Sequence, residues 1–187
     1  YNLVSKRFAR GAALPDVGKD EKLLCYLPLF HTFGRYLEML GMIYWNGTYV
    51  FTGSHSKDTL FELFPKVKPT GFISIPLRWA EIDEKSQELA DSSGIDVSEA
   101  LQIITGGNLK WGLSAAGYLE PKIFKFFQRN HIELMSGFGM TEATGGITMT
   151  PPGEYRHNSV GKPLPGVYLS FGDENEFLIS GHYVARY

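Results

Sequence analysis

The 187-residue sequence predicts an α/β fold: a parallel sheet flanked by helices, followed by the start of a small β subdomain. Three observations predict it. Short apolar runs alternate with segments of helical spacing from residue 2 to about residue 135, the mark of strands joined through crossover helices. Small-residue loops follow two of those runs, at Ser114–Tyr118 and Gly137–Gly146, as expected where a parallel sheet turns its carboxyl edge to a ligand. Beyond Thr150 come closely spaced turn signals, Pro151-Pro152-Gly153, Gly161-Lys162-Pro163-Leu164-Pro165-Gly166 and Gly172-Asp173-Glu174-Asn175. The expected organisation is an α/β part over residues 1–150 and an incomplete β-rich segment of the same domain over residues 151–187.

Each element has its own signal. Leu3, Val4, Phe8 and Ala12 stand at near-helical spacing with Lys6, Arg7 and Arg10 between them, which predicts an amphipathic helix over residues 2–13. The apolar run 22–27, closed by Pro28, reads as a buried strand. Tyr36, Leu37, Leu40 and Ile43 share a helical face over 34–45, and the Asn46-Gly47 turn leads into a strand at 48–51. A helix at 57–64 is expected to stop at Pro65, before a strand at 70–75. Pro76 opens a long helix, and Asp96-Val97-Ser98-Glu99 has capping-box-like spacing before Ala100 to Ile104. Strand 109–113, a helix from Pro121 and strand 132–135 complete the alternation, with further short strands at 167–171 and 176–180.

Composition narrows the function. With 43% hydrophobic and 20% charged residues and a net charge of -2, the chain reads as globular and has no basic excess for a nucleic-acid partner. A single cysteine, Cys25, in an apolar run excludes a disulfide framework within the chain and reads as a structural thiol. No apolar run is long enough for a membrane helix and no signal segment is present, so a cytoplasmic setting is expected. There is no Gly-x-Ser-x-Gly elbow, no Gly-x-x-x-x-Gly-Lys-Ser/Thr string and no metal-ligand spacing among His55, His131, His157 and His182.

The stretch Ser136-Gly137-Phe138-Gly139-Met140-Thr141-Glu142-Ala143-Thr144-Gly145-Gly146 sets a hydroxyl beside a carboxylate between glycines. Such a loop could hold a phosphate and its Mg²⁺, which takes few protein ligands besides phosphate oxygens. It could equally be an ordinary glycine-rich turn. His31, within Pro28-Leu29-Phe30-His31-Thr32-Phe33-Gly34, lies just past the first strand, where a ligand role and a packed core role are both open.

These pieces stand in an order that resembles adenylate-forming enzymes: Pro28 to Gly34, Phe72-Ile73-Ser74-Ile75-Pro76, Ser114 to Pro121, Gly137 to Glu142, and Ser159 to Gly166. Within that superfamily the chain is similar to AMP-forming acyl-CoA synthetases. Pro28-Leu29-Phe30-His31 and Ile75-Pro76-Leu77-Arg78-Trp79 point to the long-chain fatty acid branch. The resemblance implies an acid–thiol ligase: a carboxylate attacks ATP to give acyl-AMP and pyrophosphate, and CoA then displaces AMP. It gives catalytic parts to Thr141, Glu142 and His31, with Thr141 on phosphate, Glu142 on Mg²⁺ and His31 near the acyl carboxylate. It places Gly117, Tyr118, Gly137, Phe138, Gly139, Met140 and Thr141 at the nucleotide. Gly139, Gly145 and Gly146, with His31, would make room for the acyl chain.

Departures accompany the likeness. Phe138 stands where the family usually has a tyrosine, keeping a stacking face without its hydroxyl. Ala115-Ala116 replaces a common glycine pair, and the stretch from Ile82 to Gly107 is short for a long-chain enzyme. The resemblance further implies a phosphate loop shortly before Tyr1, a ribose-binding aspartate after Tyr187 and a C-terminal domain with a catalytic lysine. The expectation is therefore a central piece of a longer ligase, inactive alone, with fatty acid, ATP and CoA as small-molecule substrates of the parent. Peripheral membrane contact is expected if those substrates are long-chain. A non-catalytic binding or structural module derived from such an enzyme, or an aryl-acid or peptide-synthetase type adenylating domain, are the alternatives.

Overall fold

The computed structural model describes residues 1–185. Five strands run parallel: β1 (Lys22–Cys25), β2 (Thr48–Phe51), β3 (Gly71–Ser74), β4 (Trp111–Ser114) and β5 (Glu133–Met140). β6 (Gly145–Met149) and β7 (Lys162–Pro163) extend the sheet antiparallel, in the order β2-β1-β3-β4-β5-β6-β7. A separate antiparallel pair, β8 (Val167–Phe171) and β9 (Phe177–Gly181), follows. The sequence-predicted class is the observed one: a mostly parallel sheet flanked by helices, plus a small antiparallel two-stranded sheet.

The strand order sets the layers. From β1 the chain steps outward to β2, then returns across β1 to β3, β4 and β5. Because parallel crossovers are right-handed, that reversal sends the connecting helices to opposite faces. Two helical groups result. α3 (Lys57–Val67), α4 (Pro76–Ser93), α5 (Val97–Thr105) and α6 (Pro121–Arg129) pack on one another. α1 (Asn2–Ala13), α2 (Leu40–Trp45) and a π-helical turn, Phe33–Met39, form the other group. The reversal lies between β1 and β3, which makes the crevice at their carboxyl ends the natural ligand site.

Local chemistry explains the boundaries. Asp96 caps α5 by accepting the main-chain N–H of Ser98 at 2.7 Å, and Ser56 caps α3 by accepting that of Asp58 at 3.2 Å. Pro76 and Pro121 occupy the first turns of α4 and α6, where a missing N–H costs nothing. The core is knitted by edge-to-face rings: Phe64 on Phe72 at 4.9 Å, Phe72 on Trp79 at 5.3 Å and Trp79 on Phe127 at 5.0 Å. This chain of rings ties α3, β3, α4 and α6 into one block.

Four sequence readings need correction. Pro65 does not stop α3, which runs on to Val67 and ends where Lys68 takes a left-handed φ of 52°. Near a helix end proline removes one hydrogen bond, and its fixed φ is already helical. The helix expected over 34–45 is π-helical over Phe33–Met39 before becoming α2, so its side chains leave the 3.6-residue period. The glycine stretch at 137–146 is not a loose loop but a β5–β6 hairpin, closed by a 3₁₀ turn at Thr141–Ala143. Its glycines are used for close approach, since a Cβ on Gly139 would meet the main chain of Gly145 and Gly146. Finally, α1 is inverted: Leu3, Val4 and Phe8 are exposed, whereas Lys6, Arg7 and Arg10 are buried.

Glu38, on the π-helical turn, is fully buried, and burial raises its carboxyl well above the usual carboxylate range. The folded state therefore keeps a proton that the unfolded chain releases near pH 4.5. Stability from this group is complete below that pH and is lost as pH rises through the folded value. Glu38→Gln is expected to match the parent chain near pH 4.5 and to be the more stable of the two at pH 8. Urea midpoints at both pH values check this, and parallel curves for the two proteins would contradict it.

Candidate functional site

The carboxyl edge of the sheet gathers most of the sequence-predicted residues. β1 leads to His31, β4 to Ala115–Tyr118, and β5 carries Gly137, Phe138 and Gly139. Across this edge Ser74, Ser114 and Ser136 stand in register on neighbouring strands. Ser74 Oγ lies 2.7 Å from the Tyr26 hydroxyl. Ser136 Oγ lies 2.8 Å from Thr150 Oγ1 and donates to the Ser159 carbonyl at 2.8 Å. The Ser114 hydroxyl is buried with no partner among the described residues.

A cavity of about 80 Å³ opens at this edge. His31, Ala115, Ala116, Gly137, Phe138, Gly139, Gly145 and Gly146 line it, with Lys6, Arg7 and Arg10 of α1. His31 is exposed, and its Nδ1 accepts the main-chain N–H of Phe33 at 3.1 Å, which orients the ring. It is thus neither of the buried kind nor paired with a carboxylate. The space over Gly146 is filled by the Arg10 guanidinium, which a Cβ at that position would strike.

Gly117, Tyr118, Met140, Thr141 and Glu142 lie outside the cavity wall and are exposed. Tyr118 donates to Asn158 Oδ1 at 3.4 Å and borders a second groove with Pro76 and Leu77. Phe138 keeps 37% of its surface exposed, and its other neighbour is Phe177, ring to ring at 6.2 Å. Ala116 adopts a left-handed φ of 66°, where a glycine would be free of strain and an alanine costs about 1 kcal/mol. Strain of this kind collects at ligand sites.

The donor set fits a hard cation held mainly by phosphate. Glu142 carries a carboxylate with no hydrogen bond or ion pair among the described residues. Among them, too, no three His, Cys, Asp or Glu side chains cluster as a self-sufficient metal site. Mg²⁺ is accommodated in this way, through one or two carboxylates with phosphate and water completing its shell. Thr141 is the adjacent hydroxyl.

A family profile described as AMP-binding enzyme matches residues 1–185. The chain belongs to the AMP-binding enzyme family. Among relatives of this AMP-binding chain is the long-chain-fatty-acid–CoA ligase FadD15 of Mycobacterium bovis, 24% identical over 199 residues, covering 87% of this chain and 33% of that protein. The chain thus spans about a third of the length of that relative. Solved structures share its fold. O-succinylbenzoate coenzyme A synthetase (MenE) from Bacillus subtilis, in complex with ATP and magnesium, superposes with a TM-score of 0.76 at 16% identity over 100% of this chain and 38% of that one. The long-chain-fatty-acid-CoA ligase FadD1 from Archaeoglobus fulgidus gives 0.75 at 19% identity over 100% and 39%. Enzymes of this AMP-binding ligase class use ATP, Mg²⁺ and CoA. No helix among the described residues is long and apolar enough to cross a membrane.

The cations are what sequence reasoning missed in this AMP-binding chain. Lys6, Arg7 and Arg10 read as the wet side of an amphipathic helix. The available signal was a helix with four interrupted apolar positions, three cations at i, i+1 and i+4, and no acid to accompany them.

Proposed function

We propose that this chain is the central part of an AMP-forming acid–CoA ligase whose parent activates a fatty acid. What carries the reading is one juxtaposition: a cavity walled by His31, Phe138 and Gly139 adjoins a turn that presents Thr141 and an uncommitted Glu142 carboxylate. The acid would occupy the cavity, with His31 beside its carboxylate and Gly139, Gly145 and Gly146 along its tail. Phe138 would stack on adenine, with Gly117, Tyr118, Gly137 and Met140 around the nucleotide.

In the first step a carboxylate oxygen of the acid attacks the α-phosphorus of ATP and the bond to pyrophosphate breaks. In the second the sulfur of CoA attacks the acyl carbon, loses its proton and releases AMP. This chain's contribution is positioning and charge neutralisation, the usual basis of transfer at phosphorus. Thr141 would hold a phosphate oxygen and Glu142 would hold Mg²⁺. When bound, the metal neutralises the negative charge that develops on the phosphates.

The full-length parent should release pyrophosphate only when ATP, Mg²⁺ and an acid are all present. Added hydroxylamine should trap the activated acyl group as a hydroxamate. Absence of release with every monocarboxylic and dicarboxylic acid from acetate to palmitate would overturn the reading.

A further inference from the structure

Three buried cations wall one end of the cavity, and none is paired with a carboxylate among the described residues. Lys6 Nζ donates to the Gly146 carbonyl at 2.6 Å and sits 4.2 Å from the Tyr183 ring centre. Arg7 donates to the carbonyls of Tyr36 at 2.9 Å and Leu37 at 3.4 Å, and lies 4.7 Å from the Trp45 ring centre. Arg10 is only 8% exposed and lines the cavity, and its guanidinium has no hydrogen-bond partner among the described residues. Glu38, the buried carboxyl closest to them in sequence, lies against Cys25 and the Leu27 main chain instead.

Holding three charges in this way is costly. Burial, and then Arg10 beside it, pulls the Lys6 ammonium down to about 7. Burial likewise lowers both guanidiniums, with Arg7 adding to the shift of Arg10. Buried charges of one sign persist where an opposite charge meets them. Carbonyls and ring faces compensate Lys6 and Arg7 only in part, since Arg7 Nε and Nη2 stay buried without a partner among the described residues, and the Arg10 guanidinium beside them lines the same cavity without an acceptor there.

A plain alkyl chain would meet this wall badly. A saturated tail suits the Leu37, Leu40 and Leu113 side of the cavity but would leave the cations unmatched. The reacting carboxylate does not account for the cations either. It must remain free to attack phosphorus, and it lies by His31 on the reading above.

We propose that the acid taken by this site carries a second anionic group, which Arg10 receives at the end of the cavity with Lys6 in support. The preferred substrate class is thus a short dicarboxylic acid rather than an unsubstituted fatty acid. The inference rests on the ligase reading and puts a diacid in place of the unsubstituted fatty acid given there.

The test compares hexanoate, palmitate and adipate in pyrophosphate release by the full-length parent. Adipate is expected to exceed hexanoate in kcat/KM by about 100-fold, the usual scale for a buried charge pair. Arg10→Met should lower kcat/KM for adipate far more than for hexanoate, and Arg10→Lys should restore part of the difference. Methionine keeps much of the arginine stem and removes an uncompensated buried charge, so the variant is expected to fold, with a thermal melt as control. Hexanoate or palmitate preferred over adipate, or equal losses on all acids in Arg10→Met, would overturn the inference and leave the ligase reading standing. No release with any of the three, or with the acids between acetate and palmitate, would overturn both.

Discussion

Replacement of Glu142 by alanine in the full-length parent is expected to lower acid-dependent pyrophosphate release by about 100- to 1000-fold, the scale of losing one group that stabilises developing charge. The side chain is exposed on the 3₁₀ turn after β5, and its carboxylate serves no contact among the described residues. The turn itself is held through the main chain, where the Glu142 carbonyl accepts the N–H of Ala185 at 2.6 Å. Removing the carboxylate should therefore leave the melting temperature within about a degree, because surface changes away from packed features are nearly neutral. The Mg²⁺ concentration for half-maximal activity should rise in the variant. Undiminished release would sink the role given to Glu142, and a collapsed melt would show that the carboxylate is structural.

Gly161→Ala is expected to cost the fold about 3 to 4 kcal/mol, combining a left-handed residue with an overpacked contact. Gly161 has a φ of 88°, and a methyl group there would overlap the main chain at Met149 and Thr150. Backbone cannot swing aside as a long side chain can, so β7 would have to part from β6. Gly153 provides the control. It has a φ of 75° but open space where its Cβ would stand, so Gly153→Ala should cost only about 1 kcal/mol. Urea unfolding of both variants separates strain from collision, and equal midpoints would refute the account given for Gly161.

Much of this architecture was legible because strands and crossover helices write different periods into the chain. Lys22–Cys25, Thr48–Phe51 and Gly71–Ser74 are apolar or β-branched runs bounded by Pro, Gly or Asn, and such punctuation survives folding. Pro76, Asp96 and Pro121 marked helix starts for reasons confined to the first turn. The carboxyl-edge location of His31, Ala115–Tyr118 and Gly137–Gly139 followed from parallel connectivity alone.

What stayed illegible depends on partners distant in sequence. The face that α1 buries is chosen by Gly146 and the π-helical turn, so an apolar stripe of Leu3, Val4 and Phe8 was a misleading guide. A π-helical turn has no residue signature of its own. Glycines at 137, 139, 145 and 146 announce a turn as readily as a tightly paired hairpin, and only the pairing of Gly139 with Gly146 tells the two apart.

The hairpin also bears on the order in which the molecule is assembled. Phe138, Thr141, Glu142 and Gly145 are brought together by a turn of a few residues, a contact of the kind that closes in about 1 to 10 microseconds. β1 pairs with β3 across the whole segment that holds β2 and α3, and Lys6 reaches Gly146 across 140 residues of chain. Loop-closure entropy places such contacts late. The hairpin part of the proposed nucleotide site is thus a local product of the chain, while the cation-walled cavity exists only once the two ends of the described fold have met. In refolding from urea, amides of the 137–149 hairpin should gain protection from exchange before α1 does.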